Sequence, residues 1–356
     1  MNFNFPLLRP IRILLFPFSL IYALIVIIRN RLYDKDVLSS TSFNLPLICV
    51  GNLSVGGTGK SPMVELLISN LKNNFRLGVI SRGYMRKTKG YALAGAYSTA
   101  LEIGDEPMQF HVKFPDVAIA VGEERMVAIP QLLHDRPATQ AIILDDAFQH
   151  RAVKAGMNIL LTDYNNLYTR DWFLPTGDLR DEHSSAKRAS IIVVTKCPPD
   201  LPQEERESIL NEIKPLAHQR VFFASLRYGN AYHIIHKDRR EVGPEDEVLL
   251  VTGIANPRSL KYYLQEYSKT YYQVSYSDHH IFTIDDLRDI KKKFRQITAE
   301  KKMIITTEKD AVRLVKFDQE LKDLPFYVLP IGHQFLYGEA QSFIEIIGTF
   351  ISTFKR

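Results

Sequence analysis

The stretch Gly51-Asn52-Leu53-Ser54-Val55-Gly56-Gly57-Thr58-Gly59-Lys60-Ser61 lies directly behind the apolar run Leu47-Ile48-Cys49-Val50. Three glycines among positions 56 to 59 remove Cβ atoms, so successive N–H groups can converge on phosphate oxygens at the mouth of a following helix. Pro62 suits the first turn of that helix, and Met63, Val64, Leu66, Leu67, Ile68 and Leu71 recur with helical spacing. A strand, a glycine-rich loop and a helix in this order restrict the chain to an α/β architecture. In such a loop the residues Ser54, Val55, Gly56, Gly57, Thr58, Gly59, Lys60 and Ser61 cradle a nucleotide. Lys60 is expected on the β- and γ-phosphates and the Ser61 hydroxyl on a magnesium ion bridging them. Ser54 stands where such loops usually open with glycine. The competing reading is a glycine-rich turn followed by a chance Lys-Ser.

The short apolar runs Leu77–Ile80, Val117–Ala120, Ala141–Leu144, Ile159–Leu161 and Ile191–Val194 read as buried parallel strands separated by helical or loop segments. This alternation predicts a P-loop-like, doubly wound, mostly parallel sheet. Ligands of such sheets gather beyond the carboxyl ends of the strands. There the chain carries Ser81-Arg82-Gly83-Tyr84, Gly122-Glu123-Glu124-Arg125, Asp145-Asp146 and Thr195-Lys196. Asp145 and Asp146, closing an apolar strand, match the second magnesium-holding element of a P-loop enzyme, although either can instead cap a turn.

The chain has 356 residues, enough for two domains. Cys49 and Cys197 lie within or at the end of strand-like runs, which predicts no disulfide and a reducing compartment. A net charge of +5, with no Lys/Arg run interleaved with aromatics, gives no sign of a nucleic-acid groove. The amino terminus is exceptional: Ile13 to Ile28 carries no charge and is bracketed by Arg9 and Arg12 before it and Arg29 and Arg31 after it. This predicts a membrane-associated helix, bent by Pro17 and somewhat short of the ~20 residues a span needs. A tilted span, a re-entrant helix and an interfacial helix all fit that pattern. A signal peptide does not, because Arg29-Asn30-Arg31 occupies the place of a small-residue cleavage site.

Two acids stand out as groups able to take a proton from an attacking hydroxyl. Asp105 lies in Gly104-Asp105-Glu106-Pro107 ahead of an amphipathic helix, and Asp278 precedes His279 and His280. A carboxylate paired with an imidazole can serve as a general base near neutral pH. Taken singly, Asp105 reads as a helix cap and the histidine pair as a surface feature.

The order of these motifs resembles the tetraacyldisaccharide 4'-kinases, which phosphorylate the lipid A precursor on the cytoplasmic side of the Gram-negative inner membrane. The resemblance runs almost end to end. It covers the glycine-rich loop and its Ser54, Ser81–Tyr84, Gly104–Pro107, Leu144-Asp145-Asp146-Ala147-Phe148-Gln149-His150, Leu174–Arg180, Thr252–Pro257, Asp278-His279-His280 and Thr307-Glu308-Lys309-Asp310. It implies ATP and Mg2+ as cofactors, a lipid-linked disaccharide as substrate, contact with inner-membrane lipid, and a monomer. By residue, it implies Lys60, Ser61, Asp145 and Asp146 on phosphates and metal, Asp105 as general base, and one of His279 and His280 pairing with it across a domain cleft. Arg180 would face phosphate, while Arg82, Gln149, His150, Asp181 and Asp278 would lie near nucleotide or sugar. Asp181 replaces the family's usual Glu, which shortens that side chain by one methylene.

The resemblance further implies an ATP-binding core joined by a two-stranded ribbon to a smaller α/β domain. Residues 1–34 are expected as the membrane-associated helix, 35–225 as the kinase core, 226–244 as the ribbon, read as one hairpin, and 245–356 as the second domain. The apolar stripe Phe343, Ile346, Ile347, Phe350, Ile351 and Phe354 then predicts a last helix packed on that second domain. A membrane-associated P-loop ATPase acting as a switch, or a non-catalytic adaptor, are the other readings; no guanine-reading Asn-Lys-x-Asp follows a strand.

Overall fold

The computed structural model of the protein describes residues 12–355, so Arg9 lies outside the described residues. Nine strands form the first sheet: β1 (Leu47–Asn52), β2 (Leu77–Ser81), β3 (Ala92–Leu93), β4 (Ala118–Val121), β5 (Ala141–Asp145), β6 (Met157–Asp163), β7 (Ile191–Thr195), β8 (Arg220–Tyr228) and β15 (Ile331–Phe335). Six more form the second: β9 (Ala231–His233), β10 (Arg239–Arg240), β11 (Glu247–Thr252), β12 (Thr270–Ser275), β13 (Lys302–Thr307) and β14 (Phe326–Leu329). The first sheet runs β15-β8-β7-β6-β1-β5-β2-β4-β3, parallel except at its two edges. The second runs β10-β9-β14-β13-β11-β12, with β14, β13, β11 and β12 parallel.

The apolar runs became strands because burial on both faces demands continuous hydrophobic stretches. β1, β2, β5 and β7 are buried at every position. The loop strand β1 lies between β6 and β5, with Val50 opposite Asp145. That register brings the glycine-rich loop and the strand-end acids to one edge of the sheet. Helices α2 (Lys60–Leu71), α3 (Asp105–Lys113), α4 (Arg125–Asp135) and α5 (Gln203–Ile213) accompany the first sheet. Helices α6 (Arg258–Tyr267), α7 (Ile284–Gln296) and α8 (Glu308–Leu314) accompany the second, and α9 (Ala340–Thr353) follows β15. Both cysteines are free and buried.

Three expectations are corrected. Residues 226–244 are not one hairpin: β8 continues into β9 through Gly229-Asn230, while β14 continues into β15 through Pro330, so the two chain crossings run side by side. Tyr228 faces Ile331, Val328 faces Tyr232, and Gly229 donates to the Pro330 carbonyl at 3.0 Å. The second domain therefore does not extend to the carboxyl terminus, because β15 and α9 return to the first. In α9, Phe343, Ile347 and Ile351 are buried, and Phe343 packs on Phe222 of β8 and Phe335 of β15 at ring distances of 5.4 and 4.4 Å. The helical stripe is buried as its spacing predicts; one of its partners, Phe222, lies more than a hundred residues back in the chain, beyond the reach of local periodicity.

Helix α1 (Phe16–Asp34) begins with Pro17 in its first turn, so the proline starts the helix instead of bending it. Within Ile13–Asp34 an 18-residue stretch has a mean hydropathy of 2.1, and the helix is long enough to cross a membrane. Yet a polar stripe docks it on the first domain along its whole length. The Arg12 guanidinium holds the Pro175 carbonyl and Asp178, the Ser19 hydroxyl donates to Thr176, Tyr22 donates to the Arg180 carbonyl, and Asn30 donates to Asp181 and Glu182. Ile13, Leu14, Phe18, Leu20, Ile21, Leu24, Ile25 and Ile28 are exposed.

Candidate active site

The glycine-rich loop is held from three sides. Val55 donates to the Asp178 carbonyl at 2.7 Å and Arg180 donates to the Leu53 carbonyl at 2.8 Å, so the 178–180 segment fixes where the loop leaves β1. Behind it, the Thr195 hydroxyl at the end of β7 donates to the Thr58 carbonyl at 2.9 Å. His333, fully buried on β15, donates from Nε2 to the Gly59 carbonyl at 2.8 Å. Gly59 has φ +85°, and a Cβ there would meet the His333 ring at 2.7 Å, so glycine is required twice over. Gly56 and Gly57 stand exposed at the tip.

Lys60 opens α2 and reaches back over the loop, donating to the Asn52 side-chain carbonyl at 3.3 Å and lying 3.7 Å from Asp146. Burial pulls the Lys60 ammonium below its usual range, opposed chiefly by Asp146. Arg180 pairs with Asp146 through two nitrogens and also contacts Asn52. For Asp146, burial is outweighed by Lys60 and Arg180, which together hold its carboxyl below the usual range. Its neighbour behaves oppositely. Asp145 is buried, accepts from the Ser81 hydroxyl at 3.0 Å, and is pushed up to about 7 by burial, then by Asp146 and Glu106. Arg125, buried at the start of α4, donates to the Asp145 carbonyl at 3.2 Å.

Two adjacent carboxylates, Asp145 and Asp146, thus lie beside the Lys60 ammonium and the Ser81 hydroxyl, with Glu106 near enough to raise Asp145, a charge distribution that a divalent cation would relieve. Among the described residues no three His, Cys, Asp or Glu side chains form a cage for a metal. Magnesium needs none, since it takes one or two carboxylates and completes its shell with phosphate oxygens and water. Ser61, Asp145 and Asp146 fit that requirement.

Across the cleft, Asp105 opens α3 behind Gly104, whose φ of +93° turns the chain into the helix. His279, in the loop after β12 with φ +57°, places Nδ1 at 2.6 Å from the Asp105 carboxylate. Both side chains are nearly buried. The pair joins the two domains. Arg313 on α8 contacts the other Asp105 oxygen at 3.1 Å, and Lys309 on α8 contacts Glu106 at 2.9 Å. His280 points elsewhere: its Nε2 lies 2.9 Å from Asp286, and its ring stacks on Tyr276. Asp278 lies 3.8 Å from His279 Nε2, outside hydrogen-bond range.

The remaining expected residues divide into two groups. Gln149 donates to the Asn52 carbonyl at 2.8 Å, which places it under the loop. His150 is half-buried; burial, then Arg125, Arg29 and Arg82, holds its imidazole below the usual range, and Arg82 itself is exposed. Asp181, by contrast, is buried among Asn30 at 2.8 Å, Ser185 at 2.9 Å and Arg188 at 3.1 Å. Its carboxylate anchors α1, so the missing methylene bears on the helix and not on the metal. Sequence reasoning assigned no part to Arg125, Lys309, Arg313 or His333. Lys309 lies within a quoted motif and Arg125 within the strand-end segment Gly122–Arg125; Arg313 and His333 carry no local signal.

The family profile described as tetraacyldisaccharide-1-P 4'-kinase matches residues 11–352. The chain belongs to the tetraacyldisaccharide 4'-kinase family. A tetraacyldisaccharide 4'-kinase of Bacteroides thetaiotaomicron is 43% identical over 351 residues, covering 94% of this chain and 92% of its own. That of Flavobacterium johnsoniae is 46% identical over 329 residues, covering 91% and 94%. Among solved structures, LpxK from Aquifex aeolicus in complex with ATP superposes with a TM-score of 0.71 at 26% identity, over 94% of this chain and 98% of that one. In this tetraacyldisaccharide 4'-kinase family member, the loop and the strand-end acids lie at one edge of the first sheet, and the Asp105–His279 pair ties that domain to the second.

Proposed function

We propose that this chain transfers the γ-phosphoryl group of ATP to the 4'-hydroxyl of a tetraacyl-disaccharide 1-phosphate, giving lipid IVA in lipid A biosynthesis. The observation that carries the reading is the Asp105–His279 contact of 2.6 Å, a base paired across the domain cleft beside a phosphate-binding loop. Asp105 takes the proton of the sugar hydroxyl as its oxygen attacks phosphorus, and His279 orients the carboxylate and supports its basicity. Lys60, the loop amides and Arg180 neutralise charge on the transferring group and hold it in line. Ser61, Asp145 and Asp146 would hold Mg2+, which when bound would supply Lewis-acid neutralisation of the phosphate oxygens. Arg82 and His150, at the neighbouring strand ends, line the path for the sugar; Gln149 supports the loop.

Helix α1 lies along the first domain instead of projecting from it, so its exposed aliphatic face supports a helix resting in the membrane interface. The enzyme would sit on the cytoplasmic face of the inner membrane, where ATP is available and the acyl chains of the acceptor stay in lipid. Confinement to that plane raises the effective concentration of substrate without further contacts. A monomer suffices, because both halves of the site come from one chain.

The deciding experiment gives purified protein γ-labelled ATP and disaccharide 1-phosphate lipid. Label on the lipid supports the kinase, whereas label released only to water supports a P-loop ATPase. Asp105→Asn is expected to lose roughly 10²–10⁴-fold in turnover with ATP binding intact. Full turnover by Asp105→Asn or His279→Ala at saturating substrate would overturn the assigned roles.

A further inference from the structure

The motif Thr307-Glu308-Lys309-Asp310 has no part in the chemistry described so far. Its Thr307 and Asp310 are structural: Thr307 caps α8, and Asp310 accepts from the Gly253 amide at 3.1 Å and the Thr307 hydroxyl at 2.7 Å. Lys309 is different. Its Nζ lies 3.2 Å from His279 Nε2 while also holding Glu106 at 2.9 Å. An ammonium has three N–H donors and no lone pair, so it can approach an imidazole nitrogen at that distance only if the nitrogen accepts. In that geometry Nε2 would bear the lone pair and the single imidazole proton would sit on Nδ1, aimed at Asp105.

The geometry points to Lys309 as the residue that sets the tautomer and charge of His279, keeping the imidazole neutral with Nδ1–H donated to Asp105. This inference rests on the assignment of Asp105 as the base. A neutral imidazole orients the carboxylate without neutralising it, whereas an imidazolium would form a full ion pair and drain the basicity that removes the hydroxyl proton.

The groups facing His279 make Lys309 decisive. From α3 come Asp105 on Nδ1 and Glu106, which Lys309 occupies; from the histidine's own loop comes Asp278, 3.8 Å from Nε2. The Tyr84 ring packs edge-on at 5.3 Å, and Arg313 of α8 binds the far oxygen of Asp105. Apart from Lys309, then, the charges nearest Nε2 are acidic. Without the ammonium, Glu106 is released, Asp278 is unopposed, and Nε2 takes up a second proton. Lys309 is a positioning residue, since it acts through His279.

Nitrogen NMR on the full-length protein labelled with 15N at histidine tests this, with His279→Gln used to assign the signal. Wild type at pH 7 is expected to show Nδ1 protonated and Nε2 bare. Lys309→Met should convert His279 to the imidazolium and move the acid limb of the kcat profile about one pH unit higher. At the pH of the wild-type acid midpoint, turnover would fall roughly fivefold, with KM for ATP within about twofold. Lys309→Arg, still a pure donor, should restore most of the profile. An Nε2-protonated or doubly protonated His279 in wild type at pH 7 overturns the inference without any variant, as does an unchanged tautomer and acid limb in Lys309→Met. Loss of the base assignment would show separately, as full activity in Asp105→Asn.

Discussion

His333 illustrates how one buried side chain couples the phosphate loop to pH. It donates from Nε2 to the Gly59 carbonyl while Nδ1 has no partner, so it is the neutral tautomer. Burial holds its imidazole down at about 4, against an ordinary value of about 6.5. A base whose folded value is depressed contributes stability that is present above the unfolded value and is lost as the unfolded chain, but not the folded one, takes up a proton. The window is therefore pH 6.5 down to 4, and the full loss is about 3 kcal/mol. Thermal melts across that range should fall steeply for wild type and more shallowly for His333→Gln. Gly59→Ala is the complementary test. A Cβ at φ +85° costs on the order of 1–2 kcal/mol before its collision with His333 is counted, and nucleotide affinity should be lost well below the unfolding temperature.

Among elements, the ties between helices matter most. Lys113, at the end of α3, bridges Glu65 on α2 and Glu308 on α8 at 2.6 and 2.8 Å, so it joins the helix after the glycine-rich loop, the Asp105 helix and the second domain. Glu65 is pushed up to about 7 by burial and then by Glu308, and also accepts from Gln109 at 2.7 Å. Lys113→Met leaves two carboxylates facing each other. It should destabilise the protein by roughly 2 kcal/mol in chemical denaturation, below the usual buried-pair penalty because Lys113 is about one-third exposed. Glu65→Gln should cost under about 1 kcal/mol at pH 7, because the wild-type side chain is already partly protonated there. Equal losses for the two variants would contradict this arrangement.

For the whole molecule, the apolar amino-terminal helix and the candidate active site form one structure. Truncation to Asn30 would remove the outward aliphatic face, but it would also remove Ser19, Tyr22, Arg29 and Asn30, which brace the 173–182 segment and Gln149. A cleaner variant changes only exposed positions: Ile21→Lys with Leu24→Lys. Activity on bilayer-borne substrate is expected to fall at least about tenfold, because lysines resist burial in lipid, while activity on detergent-dispersed substrate is retained. Equal losses in both assays would show that the helix acts through the fold and not through the membrane.

What the amino-acid order determined by itself was local chemistry and local periodicity. Glycines at 56, 57 and 59 ahead of Lys60-Ser61 can serve few purposes, and strands buried on both faces, such as β1, β5 and β7, must be apolar throughout; those signals survive any tertiary context. The motif order made the family legible as well. Only the tertiary structure decided how distant pieces meet. It placed His279 and not His280 against Asp105, since two adjacent side chains in a loop are told apart only by backbone angles such as the φ of +57° at His279. It returned β15 and α9 to the first sheet, put His333 behind Gly59, and turned Asp181 toward α1. Each is a contact between residues more than a hundred positions apart, chosen by packing and hydrogen-bond satisfaction over the whole chain, and nothing in a local window encodes it.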